Sequence, residues 1–220
     1  MRVLLTGEGE LTEGIGRGLA ERGADVRTGW REPATRPALE ALLDAVAADL
    51  GGVDLLVHTW IHPEALVQRD IEATTQAQWI DACEATLDGA YRLAQAAHDH
   101  LAESKGRFVF VVPTISMGGA AGFAPFAAAA EGIRALAKGV AKTWGKDGIT
   151  VNTIAVAAPQ VFGIGSEAIS NALSLSPPAL GTIGDPAADL APVLALLSSD
   201  EAHFVTGSTL VLDGGVWMAL

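Results

Sequence analysis

Apolar positions along the chain fall into two periods. Short runs of aliphatic and β-branched residues, "RVLLT" at 2–6, "ADVRTG" at 24–29, "VDLLVHT" at 53–59, "GRFVFVV" at 106–112 and "ITVNTIAV" at 149–156, read as strands. Between them lie longer alanine-rich stretches of helical character: one from about Gly14, one from about Pro37 to Leu50, and two long ones. The first long one carries Ile80, Cys83, Leu87, Ala90, Ala94, Ala97 and Leu101 at steps of three and four. The second starts near Pro125 with Ala129, Ile133, Leu136 and Val140 in the same spacing. After Ala157 the periodicity weakens. Pro177, Pro178, Gly181 and Gly184 then mark a loop-rich stretch before a last helix near Ala187 to Leu197 and a final strand in "STLVLDGG". Strands alternating with helices predict βαβ units, a parallel sheet and an α/β fold.

Composition narrows this picture. A chain of 220 residues, half of them hydrophobic, suits one globular domain spanning 1–220, with neither repeats nor a linker. The opening "MRVLLTG" lacks the features of a secretory signal and no apolar run is long enough to span a membrane, so a cytoplasmic location is expected. A net charge of -12 offers no clustered cations for nucleic acid. Cys83 is the single cysteine and sits in a helical stripe, where a packed thiol is expected rather than a nucleophile or a metal ligand.

Several stretches, in order, carry a resemblance. "LLTG…GIGRGLAERGADV", "GGVDLLV", "GRFVFVV", "KDGITVNTIAV" and above all "SSDEAHFVTGSTLVLDGG" resemble the short-chain dehydrogenase/reductase family along nearly the whole chain. The resemblance implies a Rossmann-like, doubly wound parallel sheet and, in the family, an NAD(P)-dependent oxidoreductase. It also implies where the chemistry should lie. The family's Tyr, with a Lys four residues later, falls on Phe126 and Ala130 in "PFAAAAEG"; its Ser falls on Pro113 and its helix-interrupting Asn on about Thr86. A phenyl ring has no proton to transfer and a methyl group no charge. Thr114 and Ser116 lie near the Ser position, but they replace neither acid nor base.

The nucleotide motif departs as well. The family's Thr-Gly, three residues, Gly-Ile-Gly becomes Thr6-Gly7, six residues, Gly14-Ile15-Gly16, so Gly7, Gly14 and Gly16 are a degenerate version of the phosphate turn. Glu8, Glu10 and Glu13 place carboxylates where a pyrophosphate would lie. After the second strand the family has a helix and a further strand before the helix that precedes "VDLLV". Here only one helix's length of chain is available, so the sheet should lack an edge strand and the adenine pocket with it. The family's Asn-Asn-Ala-Gly becomes His58-Thr59-Trp60-Ile61. Its Pro-Gly after "VNTIA" becomes Val156-Ala157, and Trp30 stands at about the acidic, ribose-binding position.

These residues leave three readings. The first is a catalytically silent subunit, with no cofactor or only weak NAD(P) binding. It would assemble with itself or with an active member of the family through the helices at about 80–101 and 126–144. The second is a non-redox enzyme or small-ligand-binding protein that reuses the pocket, with His58 and His62 near Trp60, Glu64, Thr114 and Ser116; against it, His58 caps a strand and His62 lies in a turn. No metal site is expected, since two His lack a third ligand. The third and least favoured is an active oxidoreductase whose groups lie elsewhere; Tyr91, the single tyrosine, is far from the motif. In the family the loop from Pro159 to Pro178 shapes the substrate pocket; here it is small and apolar.

Overall fold

The computed structural model describes residues 1–30, 34–163 and 177–218. Among these residues six strands form one parallel sheet in the order β2-β1-β3-β4-β5-β6: β1 Arg2–Thr6, β2 Asp25–Gly29, β3 Leu55–His58, β4 Arg107–Pro113, β5 Thr150–Val156 and β6 Thr209–Leu212. A single helix, α2 (Arg36–Leu50), carries the chain from β2 to β3, so β2 is the edge of the sheet, as the short spacing predicts. β2 is mostly exposed, whereas β3, β4 and β5 are buried along their whole length, which is why they read as continuous apolar runs.

Side-chain alternation divides the core into two layers. Leu4, Leu56, Phe108 and Phe110 face α2, α3 (Ala85–Ser104) and α4 (Ala124–Trp144). Val3, Leu5, Val57, Val109 and Ile154 face α1 (Gly9–Glu21) and the C-terminal helix α5 (Ala191–Ser198).

Three helical details differ from the sequence pattern. The first helix begins at Gly9, not near Gly14, so the extra residues of the "EGELTE" insertion form a further helical turn rather than a longer loop. Three residues lengthen a helix by about 4.5 Å. The helix before α3 contains a π turn at Ile80–Glu84, which rotates the stripe and leaves Ile80 42% exposed while Cys83 is buried. A second π turn, Pro186–Leu190, leads into α5 and packs against α1.

That packing explains the glycines of α1. A Cβ on Gly18 would lie 2.4 Å from the Ala187 carbonyl oxygen, and one on Gly14 2.9 Å from Pro186 Cβ. On the other side, a Cβ on Gly16 would meet Leu5 at 3.1 Å. Gly14 and Gly16 therefore lie inside the helix, where they let it approach the π turn and the sheet closely.

Candidate functional site

In an open parallel sheet, ligands are bound where the strand order reverses, at the C-terminal ends of the strands. Here that point lies between β1 and β3. Gly7 leaves β1 with φ +138, and a Cβ on it would come within 2.2 Å of Thr59 Oγ1. The Thr59 amide donates to the Thr6 carbonyl at 2.8 Å, and the Thr12 and Thr59 hydroxyls are 2.6 Å apart. Hydrogen bonds between its own two walls thus hold the crevice shut at this level.

Next to it the ends of β2 and β3 bring three rings together. Trp30 stacks on Trp60 at 5.0 Å and on His58 at 5.3 Å, between ring centroids. Gly89 of α3 admits both indoles; a Cβ there would lie 2.8 Å from Trp60 and 3.0 Å from Trp30. Trp30 is held in the left-handed region, φ 61, with its carbonyl accepting from the Gly7 amide at 3.1 Å. Such a backbone is costly for an aromatic residue, of order 1–3 kcal/mol, and persists only where surrounding contacts impose it.

His58 is 2% exposed, its Nδ1 lies 2.9 Å from the Thr6 hydroxyl, and its Nε2 has no hydrogen-bond partner. Burial pushes its pKa down to about 3, so the ring is neutral at ordinary pH and reaches no solvent. His62 is half-buried and starts a 3-10 turn, with Nδ1 accepting from the Glu64 amide at 3.2 Å. Its own amide donates to Thr86 Oγ1 at 3.2 Å, so Thr86, fully buried, ties that turn to α3.

At the other end of the cleft, Phe126 is 1% exposed and packs edge-on against Phe162 at 5.8 Å, beside Phe123. Ala130 is buried in the same layer of the core. Pro113 ends β4 opposite Val156. Thr114 is buried just beyond it, its amide donating to the Val156 carbonyl. Ser116 donates to Glu131 Oε1 at 2.9 Å, and Glu131 also pairs with Arg134 at 2.6 Å.

What remains open is a cleft of about 410 Å³ between the first turn of α1, the segment after β3 and the short helix Ala158–Phe162. Glu8 and Glu10 stand at the end of α1, Trp60, Ile61, Leu66 and Phe162 form apolar walls, and buried Gln160 completes the lining. Of the five residues expected to build an alternative pocket, only Trp60 lines this cleft. His58 is covered by Trp30, His62 is engaged in its turn, and Thr114 and Ser116 lie elsewhere, so the five do not form one site. His98 and His100, in the last turns of α3, are paired: His98 bridges Asp99 and Asp147, and His100 meets Asp44.

Gln160 was not singled out from the sequence. The one available signal was an amide inside the apolar run "AVAAPQVF" directly after a strand. Of the loop expected to shape the substrate pocket, residues 164–176 lie outside the described residues. Among the described residues no group of His, Cys, Asp and Glu side chains is placed to hold a metal ion, and no helix is long and apolar enough to cross a membrane. Cys83 is buried, and desolvation first, then the Glu84 carboxylate, raises its thiol pKa.

Known proteins share this architecture. A family model described as enoyl-(acyl carrier protein) reductase matches residues 33–217. The 3-oxoacyl-[acyl-carrier-protein] reductase FabG of Vibrio cholerae is 32% identical over 187 residues, covering 82% of this chain and 73% of that protein. The subunit BbsD of (2S)-[(R)-hydroxy(phenyl)methyl]succinyl-CoA dehydrogenase from Thauera aromatica is 29% identical, covering 82% and 71%. Among solved structures, the TT0495 protein of Thermus thermophilus superposes with a TM-score of 0.78 at 25% identity, covering 98% of this chain and 99% of that one. Sheet order, closing "VTGSTLVLDGG" segment and these matches agree: the chain belongs to the short-chain dehydrogenase/reductase family.

Proposed function

We propose that this chain is a catalytically silent member of its oxidoreductase family that acts as a structural subunit, paired with a second copy or with an active relative. The observation that carries the reading is the burial of Phe126 and Ala130 at the positions the resemblance assigns to the acid-base pair. No proton can be exchanged at a phenyl ring, and no ribose can be held by a methyl group. Nicotinamide dinucleotide does not fit the residues that would have to receive it. Trp30 and Trp60 fill the side of the cleft where its adenosine half would lie, and Glu8 and Glu10 stand at the helix end that would meet its pyrophosphate.

Assembly is supported by the face that α3 and α4 present together. Tyr91, Ala94, Leu136, Gly139 and Val140 line a shallow apolar groove between the helices, with Tyr91 46% exposed. Small residues there let a partner helix approach closely. BbsD is by its name one subunit of a dehydrogenase, which gives the pairing a precedent in the family.

Size-exclusion chromatography with light scattering, on the chain alone and co-expressed with an active full-length dehydrogenase of this family from the same organism, tests the reading. A dimer or mixed complex that dissociates in the Leu136→Glu, Val140→Glu double variant is expected. A monomer under both conditions would contradict it.

A further inference from the structure

The open cleft is not an inert remnant, because its charged side chains are of one sign. Glu8 and Glu10 contribute carboxylates, and among the described residues no Lys, Arg or His lines it; the Thr59 hydroxyl, also in the lining, already donates to the Thr6 carbonyl. Gln160 adds an amide whose orientation is determined: Nε2 donates to the Gly184 carbonyl at 3.2 Å, and reversing the amide would set two oxygens against each other. Its Oε1 is left without a hydrogen-bond partner although Gln160 is only 3% exposed. A buried acceptor that nothing satisfies calls for a donor. The remaining lining, Leu11, Trp60, Ile61, Leu66, Val161 and Phe162, is apolar and partly aromatic, and about 410 Å³ is a volume suited to a small molecule.

We propose that this cleft binds a small apolar amine, its ammonium directed to Glu8, Glu10 and the Gln160 carbonyl and its hydrocarbon body against Trp60 and Phe162. A primary ammonium offers three donors and no acceptor, which matches the two carboxylates and the unsatisfied Gln160 oxygen, and an aromatic wall attracts a cation further. The same groups repel carboxylates and phosphates, so the cleft has the reverse preference of a nucleotide site. A chain with 26 acidic against 14 basic side chains adds a field of the same sign. The proposal rests on the reading that no nicotinamide nucleotide takes this cleft.

Calorimetry and tryptophan fluorescence on the full chain at pH 7 and low salt, with 2-phenylethylamine, 2-phenylethanol and 3-phenylpropanoate as matched probes, test it. Saturable binding of the amine is expected, about tenfold or more tighter than the alcohol, with no binding of the carboxylate. Glu8→Gln with Glu10→Gln, both exposed, should weaken amine binding about tenfold at an unchanged melting temperature. Gln160→Leu should weaken it as well wherever its circular dichroism matches the parent. Failure of the amine to saturate, equal binding of amine and carboxylate, or indifference to the two glutamine substitutions would overturn the proposal. NADH is titrated in parallel: its saturable binding would count against catalytic silence, while the amine series still decides the proposal made here.

Discussion

Set against the motifs the resemblance implies, the N-terminus of α1 carries more than a phosphate turn, and the N-terminus of α4 carries less than a catalytic turn. The first region is altered by addition: an extra helical turn, two carboxylates at the helix end, and two indoles brought in from β2 and the segment after β3. On the proposed reading the second is altered by subtraction: where the resemblance puts a hydroxyl and an amine, the Phe126 ring and the Ala130 methyl group lie buried, the ring against Phe162. The scaffold survives both changes because the glycines and alanines involved also serve packing, Gly14 and Gly18 against the π turn and Ala130 against the sheet layer. Removing reactive atoms from a helix costs nothing in packing if the hole is filled. Adding bulk to a crevice requires the crevice to have been given up.

This contrast predicts that neither region can be reversed by one change. Ala130→Lys should have the largest effect, because it forces an ammonium into a fully buried position. A loss of about 3–5 kcal/mol in urea unfolding is expected, without gain of NADH oxidation. Normal stability with measurable turnover would erase the distinction between the two regions.

Gly18→Ala should cost next most, about 2–3 kcal/mol, since its Cβ would meet backbone at 2.4 Å. Gly16→Ala faces only the mobile end of Leu5 at 3.1 Å and should cost under about 1 kcal/mol. Equal costs, read from chemical denaturation, would mean that α1 is not seated through its glycine face on the π turn.

Phe126→Tyr restores the ring's hydroxyl but buries it, and should cost about 1–2 kcal/mol with no turnover. An oxidoreductase activity appearing in this variant would show the site to be one atom from working, rather than lost to the core.

The last effect appears only on acidification. His58 binds a proton near pH 6.5 when unfolded and only near 3 in the fold. Its share of the stability is therefore complete above about pH 6.5 and is lost as pH falls through that window, by up to about 1.4 kcal/mol per pH unit. His58→Gln cannot take up the proton, so its stability profile between pH 6.5 and 4 should fall less steeply than the parent's. Parallel profiles would mean that the imidazole is solvated and the stack under Trp30 is open.

The fold was legible because strands β3, β4 and β5 are buried end to end and so read as unbroken apolar runs, and because one helix's length of chain between β2 and β3 leaves no room for another strand. The start of α1 was not, since Glu8 and Gly9 carry no capping side chain and a helix end without a cap leaves little local trace. Phe126, Ala130 and Pro113 could be set against the motif the resemblance implies, position by position. The stack of Trp30, Trp60 and His58 could not, because it depends on where the ends of β2 and β3 meet in space. For the same reason His58 and His62, four residues apart, were grouped as one pocket although one faces the core and the other a turn. Gln160 shows in the sequence only as a polar residue in an apolar run, and its unpaired oxygen alone gives it significance.

Calorimetric titration of the purified chain with NADPH and NADH tests the central claim most directly. No saturable heat up to millimolar nucleotide is the predicted result. Saturable binding in the micromolar range would contradict it and would mean that Trp30 and Trp60 yield to the nucleotide.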